Sequence, residues 1–219
     1  MKQVGFYLGL MIFFACSDDA DNQNVQSIDN NTNQLGQGRK VAIPDPAFEQ
    51  ALIDLNYDSE LDGQVTKDRI DSVKGLFLDN EGITDLTGIG EFNALETLSI
   101  RDNNLIMVDL TRNSDLLFIW AEGNELENIN ITGLSSLEKL GLDRNVLEEI
   151  DVNTNSSLQL LTLSDNELIR IDVSNNNTLT DFTIVNNPLN CILVNQQQLN
   201  SIPIDWVKDE SDSYSLDCE

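Results

Sequence analysis

A 21-residue period runs through the chain, and it limits the possible folds more than any other feature of the sequence. Three sets of residues recur at this spacing. The first set is leucine: Leu95, Leu116, Leu137, Leu158 and Leu179. The second set is asparagine: Asn103, Asn124, Asn145, Asn166 and Asn187. The third set is the leucine two positions after each asparagine: Leu105, Leu126, Leu147, Leu168 and Leu189. A single unit of this length cannot bury its apolar face, so the units must stack as one cooperative solenoid.

One unit, residues 137–157, shows how each coil is built, and its sequence is LEKLGLDRNVLEEIDVNTNSS. Leu140 and Leu142 alternate with other residues, which places their side chains on the inner face of a short strand. The asparagine that follows can satisfy backbone groups of its own coil and of the adjacent coil, because its amide both donates and accepts. Stacked coils therefore predict an asparagine ladder and a parallel sheet, with turns, 3₁₀ or extended pieces on the convex side.

The unit matches the pattern L-x-x-L-x-L-x-x-N-x-L, and in this it resembles the leucine-rich repeat. An earlier coil begins at Val73 and has Glu81 in place of the asparagine, which suits a coil with a neighbour on one side only. The last coil begins at Leu179. We therefore predict a leucine-rich repeat solenoid of the α/β class, with mostly short parallel strands and about six coils in residues 73–199.

Both ends of an open solenoid need caps, because they would otherwise expose apolar surface and unpaired strand edges. Residues 41–72 are expected to form a helical N-terminal cap, in which Asp45 precedes Pro46 at a helix start. Residues 200–219 are expected to form the C-terminal cap, with Trp206 covering the last coil. Over about residues 41–219 the chain resembles secreted bacterial leucine-rich repeat proteins of the internalin-like type.

The first residues look like an export signal. Lys2 precedes a mostly apolar run of twelve residues, 4–15, which is too short to span a bilayer as a helix and fits a signal peptide. The run ends Phe-Phe-Ala before Cys16, which resembles the lipobox of bacterial lipoproteins. This resemblance implies a lipoprotein signal peptide at residues 1–15 and a lipid on Cys16. The alternative is an ordinary secretory signal with a nearby cleavage site.

The segment after Cys16 is polar. Residues 16–40 are rich in Asn, Gln and Asp, so they cannot bury enough surface to fold, and we expect a disordered tether. The sequence Ser-Asp-Asp at 17–19, with acidic residues just after Cys16, resembles the surface-export signal of some Gram-negative lipoproteins. The implied location is the outer membrane, facing the cell exterior, with membrane contact only through the N-terminal lipid.

Export also bears on the two remaining cysteines, Cys191 and Cys218. In an oxidising compartment they are expected to form a disulfide that closes the C-terminal cap. The alternative is a pair of free thiols.

Charge and composition exclude several classes of function. The chain has 12 Lys and Arg, 38 Asp and Glu and no His, which gives a net charge of −26. A field this negative repels phosphate backbones, so no nucleic-acid partner is expected. Without histidine there is no Ser-His-Asp or Cys-His arrangement and no imidazole-bound zinc or haem. The sequence also has no nucleophile motif, P-loop or dinucleotide fingerprint, so we expect neither enzyme activity nor a cofactor.

Two acidic patterns raise the question of a bound cation. Residues 58–63, DSELDG, look like the start of a calcium loop, but Arg69 stands at the twelfth position, where a bidentate glutamate is needed. A column of acidic and amide residues at 21-residue spacing could also bind a divalent ion. Its members are Asp109, Asn130, Asp151 and Asp172. Such residues commonly accept hydrogen bonds from their own turns. We therefore predict a cap turn and a column of turn-capping side chains, with no metal site.

The best candidate for a ligand site is on the outward positions of the predicted concave sheet. Most of these positions are small or polar, but Phe118 and Trp120 are aromatic, and Trp120 faces out because Ala121 takes the inward place. Tryptophan and arginine are over-represented among interface hot spots. The full predicted site adds nearby charged residues: Arg101, Glu122, Lys139 and Arg144. The alternative is that Trp120 lies flat and only shields neighbouring coils.

These observations favour a lipid-anchored surface protein that recognises a macromolecule, which we expect to be another protein, through its concave sheet. This expectation rests on resemblance to repeat proteins that bind partners, and a fold does not by itself fix a function. A second reading is a carbohydrate-binding or nutrient-capture lipoprotein, in which Trp120 and Phe118 stack on sugar rings. A third is a structural spacer of the cell envelope that binds no ligand.

Overall fold

A computed structural model describes residues 38–218, which all lie within one compact unit, Gln37–Glu219. The predicted signal peptide, the lipidation site Cys16 and nearly all of the predicted tether lie outside the described residues. Within residues 38–218, none of the helices has the length and apolar character needed to cross a membrane.

A small α/β cap precedes the first coil. Strand β1 (Lys40–Ala42) pairs antiparallel with β2 (Gln64–Thr66), and helices α1 (Pro46–Asp54) and α2 (Lys67–Ile70) follow β1 and β2 respectively. Strand β1 begins at Lys40, which the sequence assigns to the tether. Among the described residues, the cap therefore begins with the pairing of β1 and β2.

Asp45 begins α1 and also ties the cap to the first coil. Its Oδ1 accepts from the N–H groups of Ala47 (2.8 Å) and Phe48 (3.0 Å), and its Oδ2 accepts from Thr84 N (2.8 Å) and Asp85 N (2.9 Å). Burial alone would raise the pKa of this carboxyl, but these hydrogen bonds favour the ionised form and lower the pKa below its ordinary value. The helix start predicted from Asp45 and Pro46 is therefore present.

The coils and the C-terminal cap contribute short strands to both walls of the solenoid. In chain order these are β3 (Gly75–Phe77), β4 (Thr97–Ser99), β5 (Met107–Asp109), β6 (Phe118–Trp120), β7 (Asn128–Asn130), β8 (Lys139–Gly141), β9 (Leu160–Thr162), β10 (Arg170–Asp172), β11 (Asp181–Ile184), β12 (Cys191–Leu193), β13 (Trp206–Lys208) and β14 (Tyr214–Ser215). Between the walls, leucine, isoleucine and valine side chains form one continuous core.

The concave wall is a parallel sheet in the order β13-β11-β9-β8-β6-β4-β3, seven strands within the described residues. In the three-residue strands β3, β4, β6, β8 and β9 the central residue points inward, as Leu98 and Leu140 show, and the residues on either side of it point outward. The leucine-rich repeat solenoid is thus confirmed. The sequence predicts about six coils; the C-terminal cap adds the seventh strand, β13.

The convex wall is more regular than the sequence predicts. It carries two parallel sheets, β5-β7 and β10-β12-β14, and a single 3₁₀ turn, Ile89–Glu91, within residues 38–218. A β-branched residue, which favours extended backbone, lies at the centre of four of these strands: Val108, Ile129, Ile171 and Ile192.

The end of the solenoid is closed by a short helix, α3 (Gln196–Asn200), by β13 and β14, and by a disulfide. Cys191 and Cys218 are bonded, with their Cα atoms 5.8 Å apart, so the predicted pairing is confirmed. Trp206 is 7% exposed, and its indole Nε1 donates to the carbonyl of Leu179 at 3.3 Å. It contacts Phe182 edge-on, with ring centroids 5.3 Å apart. Trp206 therefore packs against the last full coil.

The predicted asparagine residues lie at the turn after the concave strands. Asn145 is typical: Nδ2 donates to the carbonyls of Ala121 and Leu142, both at 3.0 Å, and Oδ1 accepts from Leu126 N at 3.1 Å. Each asparagine bonds its own coil and the coil before it. The side chains that repeat this arrangement are Asn103, Asn124, Asn145, Asn166 and Asn187.

A second set of buried asparagines lies at the opposite turn, and the sequence prediction does not include it. Asn155 Nδ2 donates to the carbonyls of Ile131 (3.1 Å) and Leu134 (2.9 Å). Asn113 and Asn176 bond the preceding coil in the same way. Their spacing is also periodic, but Leu134 takes the place of one member and interrupts the pattern.

Candidate functional site

The outward residues of the concave strands form two columns across the N-terminal half of the sheet. Register places Phe77, Ser99, Trp120 and Gly141 side by side in one column. The second column holds Gly75, Thr97, Phe118 and Lys139. Aromatic side chains therefore alternate with small ones, and the small residues leave room for the rings.

Trp120 rests on its neighbouring strand because that strand has a glycine beside it. A Cβ atom at Gly141 would lie 2.7 Å from Trp120 Cε3, closer than real Cβ contacts allow. Trp120 is half-buried, and Ala121 fills the inward place with its side chain fully buried, as the sequence predicts. The indole thus covers part of β8 and still presents surface to solvent.

Arg101 lies over Trp120 and is held there by several acceptors. Its Cζ is 4.8 Å from the centroid of the indole, within the range of a cation–π contact. Its Nε donates to Glu122 Oε2 at 2.9 Å and its Nη1 to Ser99 Oγ at 3.0 Å. Asp79 Oδ2 is 3.8 Å from Nη1, and Asp79 Oδ1 accepts from the Ser99 hydroxyl at 2.6 Å. The guanidinium of Arg101 and the indole of Trp120 are therefore already held together by contacts within the protein.

Two further cations border this cluster. Lys139 Nζ lies 5.7 Å from the centroid of the Phe118 ring. Arg144 Nη2 reaches across one coil to Asp102 Oδ1, 3.4 Å away. The coil between them has Gly123, where a Cβ would lie 3.2 Å from Arg144 Nη2 and would also contact Asp102.

The backbone of Arg144 is unusual. Its φ is +57°, in the left-handed region that asparagine, aspartate and glycine enter more readily than arginine. Equivalent residues of the other coils share this conformation, and they are Asn80, Asp102, Gly123, Asp165 and Asn186. The turn geometry therefore imposes φ > 0, and Arg144 accepts it while its side chain pairs with Asp102.

The structure brings the predicted ligand residues together in two groups and shows one that the prediction omits. Arg101, Trp120 and Glu122 form one contact cluster, and Lys139 with Phe118 forms another beside it. Arg144 lies at the adjacent turn. Phe77 is absent from the prediction, yet it is 60% exposed in the same column as Trp120. The sequence feature that could have identified Phe77 is its aromatic side chain at an outward position of the first coil.

Beyond Trp120 the same column continues with the small residues Gly141, Thr162 and Thr183. Asp143 follows Gly141, and its Oδ1 accepts from Ser164 N at 2.7 Å. Burial disfavours the charged carboxylate and raises the pKa of Asp143, despite this hydrogen bond. The concave face therefore has an aromatic half and a polar half, with Trp120 at the boundary.

Within residues 38–218, only Glu49, Asp58 and Asp62 bring three carboxylate oxygens within 4.8 Å of one another. Glu49 is buried, and its Oε1 accepts from the N–H groups of Asp62 (2.8 Å), Gly63 (2.6 Å) and Gln64 (2.9 Å). The calcium-like loop is thus held by a glutamate of α1 that the sequence pattern does not identify.

The acidic column on the convex side caps its own turns. Asp109 Oδ1 accepts from Thr111 N at 2.9 Å, and Asp172 Oδ1 accepts from Ser174 N at 2.9 Å. Asn130 and Asp151 likewise accept a hydrogen bond from the backbone N–H of the residue two positions later. The hydrogen bonds that the backbone N–H and the hydroxyl of Thr111 donate to Asp109 favour its ionised form and lower the pKa of its carboxyl.

Comparison with known proteins agrees with this architecture. The functional domain of InlJ from Listeria monocytogenes, described as including a cysteine ladder, is similar, with 27% identity, a TM-score of 0.63 and coverage of 73% of this chain. This chain spans 39% of that one. Internalin C2 from L. monocytogenes strain 4b F2365 shares the fold at 23% identity and a TM-score of 0.52, over 80% of this chain and 87% of its own. No curated protein matches the sequence.

The family itself follows from the sequence of the coils. Residues 43–166, more than half of the chain, match the model of the leucine-rich repeat domain of the endo-β-N-acetylglucosaminidase EndoS. The match begins in the N-terminal cap and ends in the fourth asparagine turn, Asn166. The similarity to internalins, predicted from the cap and the 21-residue coils, is confirmed. The chain therefore belongs to the family of EndoS-type leucine-rich repeat domains and has an internalin-like solenoid fold.

Proposed function

We propose that this protein recognises another protein through the aromatic half of its concave sheet. A fold of this family suggests a role in protein interaction, and the fold alone does not choose the surface. The observation that carries the proposal is the cluster of Phe77, Trp120 and Arg101: an exposed ring, a half-buried indole and a guanidinium already fixed above it.

Pre-organisation is what makes this cluster suitable for binding. Arg101 already donates to Glu122 and Ser99, so less side-chain freedom would be lost when a partner binds. Tryptophan and arginine contribute strongly to interfaces because they combine apolar area with directed hydrogen bonds. Phe118 and Lys139 would extend the same contact surface toward the neighbouring column.

The proposal includes the position of the protein in the cell. A lipid on Cys16 would anchor the chain to the outer membrane, and residues 16–40 would hold the solenoid away from the surface, facing the exterior. The supporting observation is the Phe-Phe-Ala-Cys sequence at the end of a twelve-residue apolar run. Mass spectrometry of the membrane-bound protein tests it, because a lipidated N-terminus begins at Cys16 and Cys16→Ser abolishes the modification.

The partner is tested by a binding screen of the protein against surface proteins and a glycan array. Hits are then compared among wild type, the double variant Phe118→Ala/Trp120→Ala, and Phe77→Ala. Met107→Ala is the matched control, because Met107 is a large, 71% exposed apolar residue on the convex wall. A protein hit that the concave variants weaken and the control retains supports the proposal.

A glycan hit with the same dependence would favour sugar recognition instead. Trp120 beside Glu122 and Asp143 would supply a stacking surface and acceptors for hydroxyl groups. Full affinity for a protein partner in all three concave variants, with the fold intact, would refute the assignment to this surface.

A further inference from the structure

The convex wall contains a groove that none of the above accounts for. It lies between the two convex sheets and has a volume of about 550 Å³. The sheet β5-β7 ends on one side of it and the sheet β10-β12-β14 begins on the other. Residues Glu149–Asp151, which occupy the position of a convex strand in their coil, lie between the two sheets and form no strand.

The groove exposes backbone groups that are paired elsewhere in the wall. Asn128 and Asn130 of β7 bond to the coil of β5, so the backbone of Ile129 points toward the groove. Within residues 38–218, the N–H groups of Glu149, Ile150 and Asp151 donate to no backbone or side-chain acceptor of the protein. Unpaired donors and acceptors of this kind attract the main chain of another segment.

The lack of pairing around residues 149–151 is local, because the same coil is hydrogen-bonded to its neighbours both before and after this segment. Before it, Val146 N donates to Leu126 O at 3.1 Å. After it, Asn155 and Asn176 bond the carbonyls of Ile131 and Val152, both at 3.1 Å. The groove is therefore a fixed feature of a stacked wall and not the frayed end of the solenoid.

The lining of the groove combines acidic and apolar residues. Glu149 and Asp151 are exposed and Asp172 is half-exposed, whereas Arg170 is the only cation that lines it within the described residues. Ile150 is more exposed than its equivalents Ile129 and Ile171. The groove thus combines unpaired backbone, an apolar contact and net negative charge.

From these features we propose that the convex groove binds an extended, basic peptide segment of a partner protein. Main-chain groups of the segment bond the unpaired backbone at residues 149–151 and 129, and its lysine or arginine side chains pair with Glu149, Asp151 and Asp172. An aliphatic side chain of the segment packs on Ile150. This site is independent of the concave surface, since it shares no residue with it.

The test uses the full chain and a synthetic pentapeptide of alternating lysine and valine. Amide hydrogen exchange, followed by NMR, reports each N–H separately. In the free protein the amides of residues 149–151 should exchange fast, while Asn128 and Asn130, which pair with β5, are protected. Adding the peptide should slow exchange at 149–151. A peptide of the same charge with N-methylated valines should bind more weakly, because it lacks main-chain donors.

Two charge variants separate this site from general attraction to an acidic protein. Glu149→Gln/Asp151→Asn should weaken binding about tenfold, as expected for the loss of two close charge pairs. Glu125→Gln/Glu127→Gln makes the same charge change outside the groove and should leave affinity nearly unchanged. Equal weakening by both variants, protection of amides 149–151 in the free protein, or peptide binding that leaves those amides unprotected would each overturn the proposal.

Discussion

The clearest prediction concerns Asn145, the central residue of the buried asparagine ladder. In Asn145→Ala the N–H of Leu126 loses the only acceptor that it has among the described residues, Asn145 Oδ1 at 3.1 Å. The two carbonyls that Asn145 bonds lose less, because Ala121 O keeps a second amide donor at 3.1 Å and Leu142 O keeps one at 3.0 Å. One buried, unsatisfied donor costs about 1–3 kcal/mol, so we expect the free energy of unfolding to fall by about 2 kcal/mol.

Urea unfolding followed by circular dichroism measures this change, and the m-value should stay constant because the same surface is exposed on unfolding. Asn104→Ala is the matched control: this asparagine neighbours the ladder residue Asn103, is exposed and makes no side-chain hydrogen bond among the described residues. The control should change stability by less than about 0.5 kcal/mol. If Asn145→Ala falls in the same small range, the ladder does not stabilise the solenoid as argued.

Three other changes have defined outcomes. Gly141→Ala should displace the Trp120 ring and change the near-ultraviolet circular dichroism while the protein stays folded, so an unaltered spectrum contradicts the packing described. Replacing Cys191 and Cys218 with serine removes a link between residues 27 positions apart and should lower the free energy of unfolding by about 3 kcal/mol in denaturant titration. Burial raises the pKa of Asp143, so its contribution to stability is present below its unfolded pKa and is lost as the pH rises through the folded pKa. Asp143→Asn should therefore stabilise the protein at neutral pH and lose that advantage in acid, as thermal melts across pH will show.

Periodicity makes the inward side of this fold predictable. Once Leu140 is placed inward, the neighbours of every residue follow at a spacing of 21, and so does the asparagine turn. A second asparagine column, at Asn113, Asn155 and Asn176, is nearly as regular, but Leu134 breaks it. The sequence does not predict the convex strands, because strands of three residues form only where adjacent coils approach closely enough to pair.

The candidate site was predictable in its members and not in its contacts. Register alone places Arg101 one coil before Trp120 and Lys139 one coil after Phe118. That Arg101 is fixed by Glu122 depends on side-chain conformations, which a repeat pattern does not encode. The exposure of Phe77 also depends on how the first coil meets its cap, and the 21-residue pattern is at its weakest there.

The convex gap at residues 149–151 also has a mechanical consequence. A solenoid carries tension through its coils in series, since each coil contacts only its neighbours, so the weakest joint sets the load that the whole stack withstands. At this coil the convex wall has no strand pairing, so the strand pairs that join it to its neighbours are the concave ones, β6–β8 and β8–β9. Pulling on the two ends should therefore bend the molecule open here first, as a hinge whose closed side is the concave sheet.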